Sequence, residues 1–317
     1  MVMARRIIMQ QDIPKRRTTP MMRFIFSLAF LSTIGLPVSA QDMPLSQILI
    51  EGEGWELVSA GYKFTEGPAA NEKGEVFFTD VPESKIYKID LDGNVTLWAE
   101  ETNATAGLMF GADGVLYGTS IGGGAIVKFS ADGKMVPVAD GISCNDLVID
   151  GNGNIYFTDH TNGNVMHIPV GGKPKVVAQE ITFPNGLILW NDQQSLVVSD
   201  MRGANLWNFR VETDGSLSFK QPYSTMELPV GSTESGADGM TTDKDGRIYV
   251  CTTKGIQVFD TTGRYCGVVS KPQRAFLSNI AFGGTELDTI YVTCADKVYK
   301  RKLNTKGIRY AVKVQTP

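Results

Sequence analysis

Six times along this chain a short apolar strand carries a small hydroxyl or thiol residue at or next to its end: "GEVFFTD", "GVLYGTS", "GNIYFTD", "SLVVSD", "GRIYVCT" and "DTIYVTC". With Thr79, Thr119, Thr158, Ser199, Cys251 and Thr293 as markers, the steps are 40, 39, 41, 52 and 42 residues. A period of this size restricts a chain to a repeat architecture. Each unit continues with a third alternating strand, as in "SKIYKID" or "GNVMHIP", and most add a fourth, such as "VTLWAE" or "PKVVAQ". The turn pairs Asp92-Gly93, Asp113-Gly114, Asp132-Gly133 and Asp245-Gly246 stand between strands. No amphipathic helical pattern is found after residue 45. Four antiparallel strands, six times over, predict an all-β fold, a six-bladed β-propeller with four-stranded antiparallel blades. "WELVSA" (55–60) reads as an orphan fourth strand able to complete the last blade and close the ring; "GIRYAVKV" (307–314) competes for that place. The longer fourth unit is expected to hold an insertion around 218–236.

Thirteen or fourteen residues before each marker stand Glu66, Ala106, Asn145, Asn185, Asp238 and Asn279. In a propeller the first strand of every blade lines the central channel, so these six positions should ring one point at one face. Five of the six carry side-chain oxygen. Carboxylates and carboxamides around a channel mouth suit a hard divalent cation, calcium above all, with zinc, magnesium or manganese as alternatives. The two histidines, His160 and His167, cannot make a three-histidine zinc site. At any single position Asn or Asp can instead satisfy turn backbone groups. Asn279 is the position where a hydrogen-bonding neighbour is the competing role.

Composition sets the remaining bounds. With 317 residues, 42% hydrophobic and 20% charged, the chain can bury a sizeable core. A formal net charge of −4 and no basic stripe exclude nucleic acid as a partner. "MMRFIFSLAFLSTIGLPVSAQ" (21–41) has a positive start, a short apolar run and small residues at Val38-Ser39-Ala40. It reads as a secretory signal cut after Ala40, residues 1–20 being either an extended basic region or upstream of the true start. The expected layout is a signal peptide over 1–40, a linker over 41–54 and the propeller over 55–317, in the periplasm or secreted. No stable membrane insertion is expected after cleavage. Four cysteines, Cys144, Cys251, Cys266 and Cys294, fit no zinc spacing; Cys251 and Cys266 could bridge neighbouring strands, or all could stay buried thiols. The oligomeric state is left open.

At the ring residues the sequence resembles the senescence marker protein/gluconolactonase/luciferin-regenerating enzyme superfamily. "FTEGPAANEKGEVFFTD" is similar to its first-blade signature, which places Glu66 as a metal ligand; "FPNGLILW" and "GADGMTTDKDGRIYV" do the same for Asn185 and Asp238. "CNDLVID" matches the segment whose asparagine, here Asn145, sits beside metal or substrate. The resemblance implies one central divalent cation and hydrolysis of sugar lactones. It also marks departures at substrate-facing positions: Ser143 in place of an arginine, Ala106 in place of an asparagine, and Thr119-Ser120 in place of a Glu-His pair. Ser143, Thr119, Ala106 and Asn145 are therefore the expected substrate-binding positions for a small-molecule substrate.

The function expected on these grounds is an exported metal-dependent lactonase. Asp238 is the candidate base that takes the proton of an attacking water, with Glu66 supplying charge and Asn145 and Asn185 neutral oxygens. His160, at the end of "YFTD", could be a proton shuttle or a solvated loop residue; His167 reads as structural. Asp80, Asp159 and Asp200 recur at strand ends, which favours turn roles. Two alternatives remain at this stage. One is a calcium-dependent hydrolase of aryl esters or phosphotriesters; the other is a non-catalytic propeller that binds metal and sugar.

Overall fold

A computed structural model describes residues 43–309; the expected signal peptide and most of the competing "GIRYAVKV" strand lie outside them. Among the described residues there are six four-stranded antiparallel sheets and one short 3₁₀ turn, Leu45–Gln47. Blade 1 is built from Thr65–Ala70, Val76–Asp80, Lys85–Ile89 and Val95–Ala99. Blades 2 to 5 repeat the plan over Thr105–Asp140, Leu147–Ala178, Pro184–Thr225 and Met240–Val269. Blade 6 takes Leu277–Gly283, Thr289–Cys294 and Lys297–Lys302 from the C-terminal side and Glu56–Ala60 from the N-terminal side. The orphan strand thus closes the ring, with Glu56 opposite Lys300 and Ala60 opposite Lys297. Ile48, within the segment read as a linker, is buried, and Asn304 N–H donates to its carbonyl at 2.7 Å.

Burial falls from the axis outward. Thr65–Ala69 and Thr105–Met109 are wholly buried, whereas the outer Met135–Asp140 is mostly open to solvent and Val95–Ala99 is exposed or half-buried except at Ala99. Between blades the large side chains Phe78, Ile86, Ile126, Phe157, Tyr249 and Phe259 are fully buried. Truncating one such side chain to alanine costs about 2–5 kcal/mol. The fourth unit's extra length is a nine-residue outer strand, Leu217–Thr225, and the segment 226–239, which Ser235 ties to the Asp200 carbonyl at 3.1 Å.

The repeated hydroxyls join each blade to the next. Thr79 Oγ1 donates to the Ala106 carbonyl (3.2 Å), Thr119 Oγ1 to Asn145 (2.5 Å), Thr158 Oγ1 to Asn185 (2.7 Å) and Ser199 Oγ to Asp238 (3.0 Å). Where the marker is Cys251, the joint is made by backbone, Gly239 N–H to the Ser278 carbonyl at 2.8 Å. Ser278 Oγ closes the circle on the Thr65 carbonyl at 2.9 Å. Four of these six carbonyls, those of Ala106, Asn145, Asn185 and Asp238, belong to ring positions. Their backbone is held by the neighbouring blade, so their side chains can change without breaking the frame.

Strand-end aspartates cap turns as expected. Asp80 accepts from the Lys63 and Phe64 N–H groups, and Asp159 from Asn162. The Asp-Gly turns place Gly93 at φ +87° and Gly246 at φ +83°, where a side chain would be strained. None of the four cysteines is in a disulfide, and Cys144, Cys251 and Cys294 are buried. His167 is buried against Tyr156, ring centroids 4.6 Å apart, in the structural role expected for it.

Thr158 also accepts the Asp146 N–H at 3.2 Å. Thr158→Val keeps the shape and strands both partners. The expected loss is about 1–3 kcal/mol, read as a lower urea midpoint at unchanged m-value. An unchanged midpoint would remove the hydroxyl from this account of the blade joint.

Candidate active site in the central channel

The first strands of the blades enter the core at one face. There they enclose a cavity of about 210 Å³ lined by Glu66, Ala106, Asn145, Asp146, Asn185, Asp238 and Asn279. All six ring positions predicted from the repeat meet in this one cavity. Phe64, Phe183 and Phe276 form its apolar walls toward the mouth, and no lysine or arginine lines it.

The cavity has a carboxylate that the repeat count missed, Asp146. The marker hydroxyls reveal why. Thr119, Thr158 and Thr293 Oγ1 accept the N–H groups of Gly107, Asp146 and Asn279. In register, then, Asp146 and Asn279 correspond to the glycine that follows the ring residue in "EGP", "AGL", "NGL" and "DGM". Two blades place a polar side chain where the other four have glycine, and those two blades face each other across the ring. Asn279 Nδ2 reaches Asp146 Oδ2 at 3.4 Å and Glu66 Oε2 at 3.2 Å. Glycine is needed beside them. A Cβ at Gly107 would lie 2.3 Å from Asp146 Oδ1, and one at Gly239 would lie 1.9 Å from Asn279 Oδ1.

The floor is electrostatically unbalanced. Glu66, Asp146 and Asp238 are all buried. Glu66 Oε2 accepts the Gly67 N–H at 2.7 Å, and Asp146 Oδ1 that of Leu147 at 2.8 Å. Even so, burial pushes the Asp146 carboxyl up to about 6. Burial, then the Asp146 charge, lifts Glu66 to about 7. Asp238 is raised well above the carboxylate range by burial first, then by Glu66 and Asp146. The Asn185 side chain hydrogen-bonds Asp238, which partly offsets that rise, and its Nδ2 also lies 3.6 Å from Met201 Sδ.

A divalent cation fits this donor set on two observations. Three buried carboxylates lack a counter-charge, and the buried Asn185 Oδ1 has no hydrogen-bond donor. Among the described residues no three His, Cys, Asp or Glu side chains form a metal-holding group by themselves. The fit therefore depends on mixing carboxylates with the carboxamide oxygen, the hard-oxygen environment calcium takes. Asn279 serves the carboxylates as a donor, while its Oδ1 accepts the Ile280 N–H at 2.8 Å.

Two of the substrate-side expectations, Thr119 and Ser143, and the candidate proton shuttle His160 need correction. Thr119 is fully buried and spent on the Gly107 N–H and Asn145 carbonyl, so it faces no ligand. Ser143, bonded to Thr161, and His160 line a neighbouring recess that shares only Ile121 with the carboxylate cavity. A strand-end residue points away from the axis once its strand leaves the blade's inner edge, which places His160 beside the Phe183 ring (centroids 4.9 Å) and outside the floor. Burial lowers its pKa.

Residues 64–296 match the SMP-30/Gluconolactonase/LRE-like region. The chain is 24% identical to a gluconolactonase of Zymomonas mobilis across 87% of this chain and 88% of that protein. It is 22% identical to the pentonolactonase XacC of Haloferax volcanii across 75% and 84%. In fold it is similar to regucalcin from Agrobacterium tumefaciens, described as a calcium-binding protein, with a TM-score of 0.71 at 16% identity, covering 83% of this chain and 98% of that one.

Raised carboxyl pKa values make stability depend on pH. Well below the unfolded-state values both states hold the protons; as pH climbs to about 7 the unfolded chain releases protons that the folded chain retains, and stability falls. With chelator present, Tm is expected to be lower at about pH 7.5 than at about pH 5, and millimolar calcium to restore it at the higher pH with little effect at the lower. A chelated protein that calcium leaves unmoved at both would take the cation out of this site.

Proposed function

The chain belongs to the SMP-30/Gluconolactonase/LRE-like family, and from that premise we propose that it is a metal-dependent hydrolase that opens sugar-type lactones. The single observation that carries the reading is the floor itself: three buried, uncompensated carboxylates and an unpartnered carboxamide oxygen around one small cavity. Named lactonases among the relatives, a gluconolactonase and a pentonolactonase, support the reaction class. The calcium-binding neighbour supports the choice of ion.

Glu66, Asn185 and Asp238 are the residues that would hold the cation, with Asp146 and Asn145 beside them. When bound, the cation supplies Lewis-acid polarisation of a lactone carbonyl. The protein's own groups do the rest. Asp238, with a proton affinity raised by burial, takes the proton of the attacking water. The new bond joins the water oxygen to the carbonyl carbon. The ring C–O bond breaks, and the proton held by Asp238 goes to the departing alkoxide, so one water yields one hydroxy acid. Asp146 is a further carboxylate within the cavity; its charge adds to the proton affinity of Asp238, and its own Oδ2 accepts from Asn279 Nδ2 at 3.4 Å. Phe64, Phe183 and Phe276 limit water access and present flat apolar faces to the C–H faces of a sugar ring. Export belongs to the same proposal, with a mature chain starting after Ala40 as its mass-spectrometric signature.

A panel of an aldonolactone, an aryl ester and a phosphotriester, with and without chelator, tests the reading. Chelator-sensitive opening of the aldonolactone is expected, and Asp238→Asn should lower kcat by about 100-fold or more while calcium still raises Tm. Turnover confined to the aryl ester or phosphotriester would move the chain to a different substrate class. Tight calcium binding with no turnover on any of the three would make the site structural.

A further inference from the structure

One cation at the cavity mouth has no function in the frame or the floor. Arg202 is exposed on the turn between the second and third strands of blade 4, and its guanidinium lies over the Phe183 ring, 4.6 Å from the centroid. Phe183 is itself a wall of the carboxylate cavity. No carboxylate pairs with Arg202 among the described residues. The neighbouring acid is already occupied: Asp200 accepts the N–H groups of Thr182 (3.2 Å), Phe183 (3.0 Å) and Gly203 (3.1 Å) and the Trp207 indole N–H (3.4 Å). That one carboxylate pins both the Phe183 backbone and the turn bearing Arg202, so ring and guanidinium are positioned together. A guanidinium held over an aromatic face leaves N–H donors free to grip a carboxylate with two parallel bonds. His160 stands against the same ring, and its buried Nδ1 has no hydrogen-bond partner. On the opposite side of the mouth the facing wall is Phe64 against Phe276, ring centroids 5.8 Å apart.

We infer that Arg202 is a specificity residue which takes the carboxylate of an acidic lactone, the monolactone of a sugar diacid. The inference rests on the lactone-opening reading of the floor. An anionic tail cannot sit among Glu66, Asp146 and Asp238, so it must be held away from them while the carbonyl points in. The mouth of blade 4 does this: the sugar ring lies beside Phe183 and its carboxylate meets the Arg202 fork. Arg202 also steers an anion toward a protein of net negative charge, so the preference belongs chiefly in KM and weakens with salt.

The experiment compares D-glucaro-1,4-lactone with neutral D-glucono-lactone on the calcium-loaded full chain, and adds a phosphorylated lactone as a separate anionic arm. For the wild type, kcat/KM should be higher for the glucarolactone. Arg202→Gln should cut the charged-to-neutral ratio of kcat/KM by about tenfold or more, through KM. Arg202→Lys should recover only part of it, because a point charge lacks the fork. A preference for the phosphorylated lactone over the carboxylate one, or a ratio unmoved by Arg202→Gln, overturns the inference while leaving lactone opening in place. If no lactone is opened, calorimetry with the open-chain glucarate separates the two: binding lost in Arg202→Gln keeps the recognition site and removes the hydrolytic reading, and no binding at all removes both.

Discussion

The structure depends on one small contact repeated around the axis, a side-chain hydroxyl of one blade bonded to a main-chain carbonyl of the next. In four of the joints it fixes where the next innermost strand sits by holding that strand's main chain and not its side chain. A buried carbonyl without a donor is expensive, so the hydroxyl is required wherever the joint is made this way. The side chain attached to that carbonyl is under no such demand. Glutamate, alanine, asparagine and aspartate can occupy equivalent places in one ring because the ring is not built from them. The scaffold and the chemistry are thereby carried by different atoms of the same residues.

That separation lets the axis hold a charge arrangement that would otherwise oppose folding. Three carboxylates are buried in one cavity with no basic side chain lining it, and each is driven toward its neutral form. The surrounding β-structure is rigid enough to hold them there. The remaining donors are directed so as to keep the oxygens apart: Asn279 spans Glu66 and Asp146, and Asn185 leans on Asp238. A cation held in their midst, as proposed, would convert mutual repulsion into binding energy.

Much of this was legible in the residues. The period gave six blades, the alternation gave four strands in each, and "WELVSA" supplied the strand that closes the ring. The six counted residues all line the one cavity, although Asn279 stands one residue out of phase with the other five. Asp146 escaped because a count from the marker lands on Asn145, and a slip of one residue along a strand start changes which side chain faces the axis. The glycine at the next position in four of the other units was the available signal, since only a tight approach demands it. Thr119 was misjudged for the opposite reason. It lies at a position that the family resemblance marks as substrate-facing, yet here it is a blade joint, and only the three-dimensional partner distinguishes the two. His160 and Ser143 depend on loop paths between strands, which no periodicity encodes.

The union of Glu56–Ala60 with Lys297–Lys302 sets an order of events for a chain emerging from the ribosome. The strand made early waits, edge exposed, until nearly all the rest has been synthesised, and blade 6 is incomplete until then. Contacts this distant in sequence slow folding and leave a sticky border available meanwhile. A nascent molecule therefore has reason to rely on helpers that shield that border, and early termination of translation would yield an open crescent prone to joining its neighbours edge to edge.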